Sequence, residues 1–412
     1  MKSKFKLLLA LLAVFSLLAA ACGDDDDTTA DAGDDAADSG DDMADDEGDD
    51  MADDEGDDMA DDEGDDMADD EGDAAADLPG TGVTVNMGRA NWSSGYVHAQ
   101  ILHDLIEEMG YEVSSPDGLE FAPDLGYQTM ASGEMDLWAN SWYPGHFSWH
   151  EGDLPDGTRI GDNLLVVEGS VMPGGGLQGM LVTKSWAEEN GVTSLDGINA
   201  DEALWSQLDS DGNGKGEFYG CPEDWTCDDI MASQIAFAGW DNLEQTQAGY
   251  DAMFAEFLTK AQAGEPAIIY TWTPTSYLAQ AIPGETTMWL TIETILDDSN
   301  PLGKEGGESY DQGEGYSGLG ADVCLAPASG CNTGWEAADI LVTLNLAFAD
   351  ANPAIVALSE VFNPPLIDMA IAGVDLNASD GSQAAVEEIA AAWIADNRDL
   401  ADEWVAVGLA AG

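Results

Sequence analysis

The sequence predicts an α/β fold, because apolar runs of strand length alternate with segments of helical periodicity. The run VTVNMG at 83–88 reads as a strand, and the helical stretch GYVHAQILHDLIEEMGYEV that follows has a glycine stop at Gly110. Five further apolar runs are typical of buried strands: LLVVEG, GMLVTK, AIIYTW, TMWLTI and ILVTLN. Helical patterns such as DAMFAEFLTKAQAG lie between them, and 382–410 is also predicted to be helical. In such folds ligands bind at the loops that follow the strands.

Residues 1–22 have the composition of a bacterial lipoprotein signal. Lys2, Lys4 and Lys6 form a basic stretch, the apolar run LLLALLAVFSLLAAA follows, and Cys22 comes directly after small residues. The run is short for a bilayer span, which disfavours a transmembrane anchor. We expect lipidation of Cys22 and attachment of the chain to a membrane through this lipid, with simple secretion as the alternative.

Residues 23–77 form an acidic segment of low complexity. The octad MADDEGDD occurs three times and is followed by MADDEGDA, and the segment contains no aromatic residue. Such a composition cannot bury enough apolar surface to offset the conformational entropy that folding removes. It predicts a disordered tether that repels itself and holds the folded part clear of a membrane. Cation binding by its carboxylates is an alternative that the composition does not require.

The chain contains 83 acidic and 10 basic residues. Since 30 of the acids lie in 23–77 and three lysines in the signal, the remainder carries 53 acidic against 7 basic side chains. This charge excludes nucleic acids and anionic membrane surfaces as partners bound through charge, and it favours cationic or zwitterionic ligands. It also suits high salt, where screening shortens the range of repulsion between the carboxylates.

The four cysteines outside the signal form two pairs that are close in sequence. Cys221 and Cys227 flank the stretch PEDWT, and Cys324 and Cys331 form the second pair. In an oxidising compartment each cysteine would pair with its neighbour. Metal ligation is the alternative, but the spacings are wider than the usual C-x2-C and no histidine lies nearby. We predict two local disulfides, the first of which encloses Trp225 in a small ring.

Three tryptophans lie at strand ends or in constrained loops. Trp142 is in ANSWYPGH, Trp225 is in the cysteine ring, and Trp272 is in IIYTWTP. Packing in the core is the alternative for any single tryptophan, but three such positions in an exported protein favour a binding site. An indole face attracts cations, and a quaternary ammonium group cannot donate a conventional hydrogen bond. A cage of aromatic rings is therefore a suitable receptor for it.

At these residues the chain resembles the substrate-binding proteins of ABC importers for glycine betaine and proline betaine, in particular the enterobacterial periplasmic type. The resemblance extends from ADLPGTGVTVN at 76–86 to the C-terminal region. Its most specific stretches are SWYPGH, LDSDGNGKGEFYGCPEDWTC, and IIYTWTP with the downstream MWL. It covers essentially the whole of the part that is expected to fold.

The resemblance implies a set of ligand-binding residues. The tryptophans that box the trimethylammonium group in that family match Trp142, Trp225 and Trp272. By the same matching, His146 and the backbone N–H of Thr226 would donate to the ligand carboxylate. The chain departs from the family in that Thr226 replaces a glycine. In the first loop, Trp92 and Arg89 replace smaller or uncharged residues, and both are further candidates for the site.

The residues around the ring also suggest an anion site. Asp228 or Asp229 could cap a helix that begins after the ring, so that N–H groups around Thr226 would lie at a helix N-terminus. A zwitterion's carboxylate would bind there, while the ring presents Trp225 to the cation. A zinc site at His146 and His150, which are four residues apart, is an alternative for which no third ligand is marked by spacing.

The stretch DSDGNGKGE at 209–217 resembles the beginning of a calcium-binding loop, although Gly220 stands where a bidentate glutamate is usual. An ordinary polar turn is the alternative. The expected ligands of a structural calcium ion are Asp209, Asp211, Asn213, the Lys215 carbonyl and Glu217. No other cofactor is expected.

The sequence contains no recognisable catalytic arrangement, and no enzyme activity is expected. Carboxylates are too abundant for any pair to be informative, and no serine or cysteine has a marked histidine partner. One alternative function is an exported glycan-binding or glycan-cleaving lipoprotein whose tryptophans stack on sugars. Another is an adhesion or scaffold lipoprotein, which would bind no small ligand.

The resemblance implies a two-lobed periplasmic-binding-protein fold of type II, with the ligand cleft between the lobes. We expect the first lobe at 78–178 and 290–412 and the second at 179–289, with the glycine run PGGGLQG at a crossover. Ligand binding would then favour the closed state, which an ABC importer permease would recognise. The protein is expected on the outer face of the cytoplasmic membrane, anchored by lipid, or in the periplasm.

Overall fold

The structure is a computed structural model, and it describes residues 78–168, 172 and 174–412. The predicted signal, Cys22 and the acidic tether lie outside these residues. In chain order the strands are β1 (Thr84–Val85), β2 (Met87–Ala90), β3 (Glu112–Val113), β4 (Glu120–Phe121), β5 (Leu137–Tyr143), β6 (Leu164–Val166), β7 (Gln178–Thr183), β8 (Gly216–Tyr219), β9 (Leu243–Thr246), β10 (Ile268–Trp272), β11 (Thr287–Leu290), β12 (Cys324–Leu325) and β13 (Asp339–Asn345). Each apolar run predicted as a strand overlaps one of these elements.

The strands form two main sheets, each of which is the centre of one lobe. The first sheet has the order β4-β2-β5-β13-β6, and the second has the order β12-β11-β7-β10-β8-β9. Strands β1 and β3 form a separate parallel pair. β5 and β10 are buried at every residue, and in β10 this burial explains the apolar run of the sequence.

Helices cover both sheets. In chain order they are α1 (Tyr96–Glu108), α2 (Pro123–Ala131), α3 (Phe147–His150), α4 (Lys184–Asn190), α5 (Leu195–Ala200), α6 (Glu202–Trp205), α7 (Thr226–Ala238), α8 (Tyr250–Ala263), α9 (Leu346–Ala351), α10 (Pro353–Val361), α11 (Leu366–Ala378), α12 (Gln383–Asp396) and α13 (Arg398–Ala411). The C-terminal segment forms two helices that break at Asn397, because α12 packs on α1 whereas α13 packs on α10.

Among the residues that the structure describes, no single helix is long and apolar enough to cross a bilayer, although α10 and α11, bent by 97°, meet these criteria when counted together.

The second sheet extends further along the chain than the sequence predicts. β12 pairs in parallel with β11, so that Cys324 lies beside Trp289 in the second sheet. The predicted boundary at 290 would place Cys324 in the first lobe, and the structure differs from it in this respect. The chain rejoins the first sheet at β13, because that strand pairs with β5 along most of its length.

Two connecting segments run side by side where the chain crosses between the sheets. Gly176 and Ala338 form an antiparallel bridge there. A Cβ atom at Gly176 would lie 2.7 Å from the indole of Trp142, so only glycine lets this segment approach the ring. The crossover is therefore packed directly against a predicted ligand-binding residue.

Candidate ligand-binding site

Residues of both lobes line one cavity that contains most of the predicted ligand-binding side chains. Trp142 lies near the end of β5, Trp272 is the last residue of β10, and Trp225 directly precedes α7. The predicted residues in the cavity lining are Trp92, Trp142, His146, Trp225, Thr226 and Trp272. The site is thus built at strand ends and at a helix N-terminus, as is usual for α/β folds.

The cavity has aromatic walls that meet edge to face. The rings of Trp225 and Trp272 have centroids 5.4 Å apart at 77°, and those of Trp92 and Trp225 are 5.4 Å apart at 70°. Tyr250 packs behind them, with its ring centroid 5.8 Å from that of Trp225 and 4.6 Å from that of Trp272. Rings at such angles present electron-rich faces in different directions, which suits a cage for a cation.

The indole N–H groups of two cavity tryptophans cross from the second lobe to the first. Trp225 Nε1 donates to Asn91 Oδ1 at 3.0 Å, and Trp272 Nε1 donates to Ser94 Oγ at 3.1 Å. An indole has one donor and no acceptor, so both rings have their polar group satisfied by the opposite lobe. The structure is therefore closed around the cavity.

His146 is a neutral hydrogen-bond donor in the cavity wall. It is 4% exposed, and burial lowers the pKa of its imidazole to about 3. Its Nδ1 accepts from the backbone N–H of Trp142 at 3.1 Å, and the Tyr127 hydroxyl lies 2.8 Å from the same atom. Because a backbone N–H can only donate, Nδ1 carries the lone pair and Nε2 carries the proton. The Nε2–H group can therefore donate to an anionic group without adding a charge.

Helix α7 begins at Thr226, immediately after the ring tryptophan. The N–H groups of its first turn, including those of Thr226 and Cys227, have no partner within the helix and lie at the positive end of its dipole. Trp225 is the N-cap residue, and its side chain makes no capping hydrogen bond. From the first lobe, Trp149 Nε1 donates to Thr226 Oγ1 at 2.7 Å, which holds this helix end against the cleft.

The prediction that Asp228 or Asp229 caps α7 is wrong. Asp228 Oδ1 accepts from Gln245 Nε2 at 2.6 Å. Asp229 accepts from the Tyr310 hydroxyl at 3.0 Å and pairs with the Lys304 ammonium. Both carboxylates lie within the first turn, after the first N–H groups; Asp228 turns to strand β9, and Asp229 turns to the segment that contains Lys304 and Tyr310. Neither one occupies the N-terminal amides that a ligand carboxylate would use.

The structure does not bring Arg89 into the cavity lining. Its guanidinium pairs with Glu120 Oε2 at 2.7 Å and lies 3.8 Å above the ring of Tyr96. Arg89 Nη1 also donates to Gln383 Oε1 at 2.7 Å. The parallel pairing of β2 with β4 places Arg89 opposite Glu120, which explains its orientation. Trp92, the other candidate from this region, does line the cavity.

The site also contains residues that sequence reasoning missed. Asn91, Ser94 and Tyr250 support the tryptophans from other elements and carry no signal in the local sequence. Asn140 contacts Trp142, and the alternation of side chains along β5 places both on one face of the strand. That spacing could have marked Asn140 as a neighbour of the cage. Polar residues that complete the lining are Gln178, Tyr270, Gln312 and Glu336.

Within the described part of the chain, two groups bring three potential metal ligands within 4.8 Å of one another: His103, Asp104 and Glu107, and Asp209, Asp211 and Glu217. Neither group contains His146 or His150. Instead, His150 Nε2 lies 3.0 Å from the Tyr143 hydroxyl. Among the described residues, a zinc site at His146 and His150 therefore has no third ligand.

The predicted calcium loop does bring its carboxylates together. Asp209 accepts from the amides of Gly212 at 2.8 Å and Gly214 at 3.0 Å, and Asp211 accepts from the amide of Asn213 at 2.8 Å. These bonds fold the loop tightly, as a calcium loop or a polar turn would. Calcium binding stays a prediction.

If the loop binds calcium, a chelator is expected to lower the melting temperature and added calcium to restore it. A ligand at 100 times its Kd stabilises the folded state by about 2.7 kcal/mol. Differential scanning calorimetry with and without the chelator measures this effect. A double variant with Asp209→Asn and Asp211→Asn is the control and should not respond to calcium. An unchanged melting temperature in the parent would show that the loop is an ordinary turn.

Comparison with known proteins identifies the family. The family described as the substrate-binding domain of ABC-type glycine betaine transport systems (OpuAC) matches residues 83–396. The chain belongs to this family. A glycine betaine/proline betaine-binding periplasmic protein of Salmonella typhimurium is 28% identical over 335 residues, which cover 81% of this chain and 92% of the relative. The corresponding protein of Escherichia coli is 27% identical over 337 residues, with the same coverage.

Solved structures confirm the predicted two-lobed α/β fold. Lactococcal OpuAC, in its closed conformation with glycine betaine, has a TM-score of 0.52 at 16% identity, with 78% of this chain and 99% of that one covered. An ABC-transporter choline-binding protein in complex with choline has a TM-score of 0.53 at 16% identity, with 80% and 96% covered. Because the chain belongs to a family of transport proteins, the comparisons do not favour the alternative function of a glycan-binding or glycan-cleaving lipoprotein.

Proposed function

We propose that this protein is an extracytoplasmic solute-binding protein that captures glycine betaine, or a related quaternary ammonium osmolyte, and delivers it to an ABC importer permease. The observation that carries the proposal is that one cavity combines an aromatic cage with neutral donors for an anion. A betaine carries a permanent cation and a carboxylate, and therefore matches both parts. The names of the related periplasmic proteins support the same ligand class.

The aromatic walls suit a cation that has no hydrogen to donate. Trp142, Trp225 and Trp272 line the cavity, and the N–H groups of Trp225 and Trp272 are already bonded to protein oxygens. The cage therefore offers mainly ring faces rather than polar atoms to a ligand. A trimethylammonium group gains electrostatic attraction from such faces and loses less hydration than an ammonium group would.

The donors suit a carboxylate. His146 offers its Nε2–H group, and the start of α7 offers the amides of Thr226 and Cys227. All three donors belong to groups without formal charge. The site therefore compensates an anion by hydrogen bonds and a helix dipole, which favours a zwitterion over a ligand with net negative charge. Binding requires no chemical change in the ligand carboxylate, and we propose no enzyme activity.

Ligand binding is proposed to favour the closed state. The bonds from Trp225 to Asn91 and from Trp272 to Ser94 join the lobes at the cavity itself. A ligand that contacts Trp142 and His146 on one side and Trp225 on the other adds contacts that only the closed state makes. The permease would then recognise the loaded, closed protein.

The export features complete the proposal. Lipidation of Cys22 would anchor the protein to the outer face of the cytoplasmic membrane, with 23–77 as an acidic tether. The predicted disulfides, Cys221 to Cys227 and Cys324 to Cys331, are present in the structure. Two disulfides suit an oxidising compartment outside the cytoplasm. A bound calcium ion would have a structural role only.

Isothermal titration calorimetry with a panel of ligands tests the proposed function. We expect glycine betaine, proline betaine or carnitine to bind and to remain chemically unchanged. Choline carries the same cation without the carboxylate, so weaker binding of choline would measure the contribution of the donors. A neutral oligosaccharide is the control and should give no heat. Binding of the oligosaccharide, or the absence of binding by every quaternary ammonium ligand, would contradict the proposal.

Loss of the ring disulfide is expected to weaken ligand binding, because the ring holds Trp225 and the Thr226 amide in position. We expect a paired Cys221→Ser and Cys227→Ser variant to bind glycine betaine about tenfold more weakly, equivalent to about 1.4 kcal/mol. The matched control removes Cys324 and Cys331, which lie outside the cavity lining; it should lose stability but retain affinity. Equal affinities of the two variants in calorimetry would contradict this role of the ring.

A further inference from the structure

We infer that Asn140 is a positioning residue that holds two walls of the cage, Trp92 and Trp142, through one oxygen atom. The inference rests on the proposed function, since it concerns the walls of the same cavity. Asn140 does not itself line the cavity, but it sets the arrangement of Trp92 and Trp142, which do.

One carbonyl oxygen receives both indoles. Asn140 Oδ1 accepts from Trp92 Nε1 at 2.9 Å and from Trp142 Nε1 at 2.8 Å. Indole N–H groups only donate, so both must meet the oxygen of the amide, and this fixes its orientation. A carbonyl oxygen has two lone pairs, and here each is used by a different tryptophan. The distance between the two indole nitrogens is thereby set by a single atom.

The other end of the amide is fixed in the core of the first lobe. Asn140 Nδ2 donates to His98 Nδ1 at 3.0 Å, and Asn140 is 2% exposed. His98 lies on α1, is fully buried, and stacks on Phe362 with ring centroids 5.1 Å apart at 14°. Because His98 cannot move without disturbing this packing, it is a rigid support for the amide. The hydrogen bonds therefore connect the core, through Asn140, to the cage.

The two indoles held by Asn140 have different neighbours. Trp92 meets the ring of Trp225, which belongs to the second lobe. Trp142 lies against the crossover at Gly176. Asn140 thus sets the separation between the wall that contacts the opposite lobe and the wall at the crossover. Its loss would leave two buried N–H groups without an acceptor, and each ring would turn to find another.

Calorimetric titration of Asn140→Leu with glycine betaine tests the inference. Leucine has a similar size but no acceptor, and we expect about 10- to 100-fold weaker binding, since two buried donors lose their partner. Asn140→Asp keeps oxygens for both indoles and should bind more tightly than Asn140→Leu. Asn140→Ser, whose side chain is too short for both indoles, replaces the leucine variant if that variant does not fold. An aspartate variant no better than the acceptor-free one would overturn the inference.

A double-mutant cycle separates positioning from a general loss of packing. In a background with Trp92→Phe and Trp142→Phe, the rings keep their faces but lose the N–H groups that Asn140 binds. There we expect Asn140→Leu to cost less than about threefold in affinity, because nothing remains for the amide to hold. An equal loss in both backgrounds, or no loss in the parent background, would overturn the positioning role.

A second readout works without ligand. Near-ultraviolet circular dichroism reports the packing of the indoles, and we expect Asn140→Leu to change this spectrum while Asn140→Asp preserves it. If the parent protein does not bind glycine betaine, the proposed function fails, but this spectrum still tests the positioning role. If the parent binds and the leucine variant has a parental spectrum and parental affinity, only the inference fails.

Discussion

Replacing Trp225 with alanine is expected to weaken glycine betaine binding by about 30-fold or more. Trp225 contacts Trp92 and Trp272 edge to face, so its removal opens the cage to water as well as removing one ring face. A desolvated cation over an indole contributes about 2 kcal/mol, which corresponds to about 30-fold in affinity. Alanine at Trp142 or Trp272 should have a similar effect. Calorimetric titration measures each loss.

Substitution by other side chains separates the electrostatic contribution from apolar contact. Phenylalanine at Trp225 should recover part of the affinity because it keeps a negative ring face, while leucine should recover little. Equal recovery by the two would mean that the cavity binds through apolar contact alone. Trp205→Ala, a partly buried tryptophan outside the cavity lining, is the matched control and should leave affinity unchanged. Parental binding by folded alanine variants at all three cage positions would show that the site is wrong.

Acidification below pH 6.5 is expected to destabilise the folded protein steeply. Burial lowers the pKa of His98 and His146 to about 3 and that of His150 to about 4. Between pH 6.5 and about 4 the unfolded chain therefore binds protons at these histidines that the folded chain does not bind. Stability must then fall as pH falls, by up to about 1.4 kcal/mol per pH unit for each histidine.

Urea unfolding at a series of pH values measures this dependence, and two variants isolate the contribution of single histidines. His98→Gln removes one of the three groups, so its stability should fall less steeply with acid than that of the parent. His103 is the matched control, because hydrogen bonding to Asp104 and the charge of Glu107 outweigh burial and raise its pKa. His103→Gln should not make the loss of unfolding free energy with falling pH less steep. An identical slope in the parent and His98→Gln would contradict the linkage.

The local sequence determined much of the architecture. Apolar runs marked most of the longer strands, because strands buried on both faces are largely apolar and this property is visible without knowing their partners. The central strand β5 was not among them, because Asn140 and Ser141 interrupt its apolar character. The two disulfides were predictable because each pair is close in sequence. The tryptophans Trp142, Trp225 and Trp272 were marked by their positions at strand ends and in the ring. The structure brings all three to one cavity.

Only the tertiary structure decided how these residues are held. Arg89 was a candidate site residue because it departs from the smaller or uncharged residues of the family's first loop, but pairing between β2 and β4 gives it Glu120 instead. Asp228 and Asp229 satisfied the pattern of helix caps, yet Asp228 bonds Gln245 of β9 and Asp229 bonds Lys304 and Tyr310. Hydrogen bonds of this kind depend on which elements become neighbours, and the residue pattern within one element does not contain that information.

The same reason explains the support of the cage. Asn91 lies 134 residues from Trp225, and Ser94 lies 178 residues from Trp272, so these bonds exist only because the two lobes close on each other. Asn140 is only two residues from Trp142, but its role depends equally on Trp92, 48 residues away, and on His98 in the core. The local sequence pattern indicated most of the buried strands and the tryptophans at strand ends and in the ring. The packing of the lobes determined which polar atoms satisfy one another, because a buried donor must take whatever acceptor the fold places beside it.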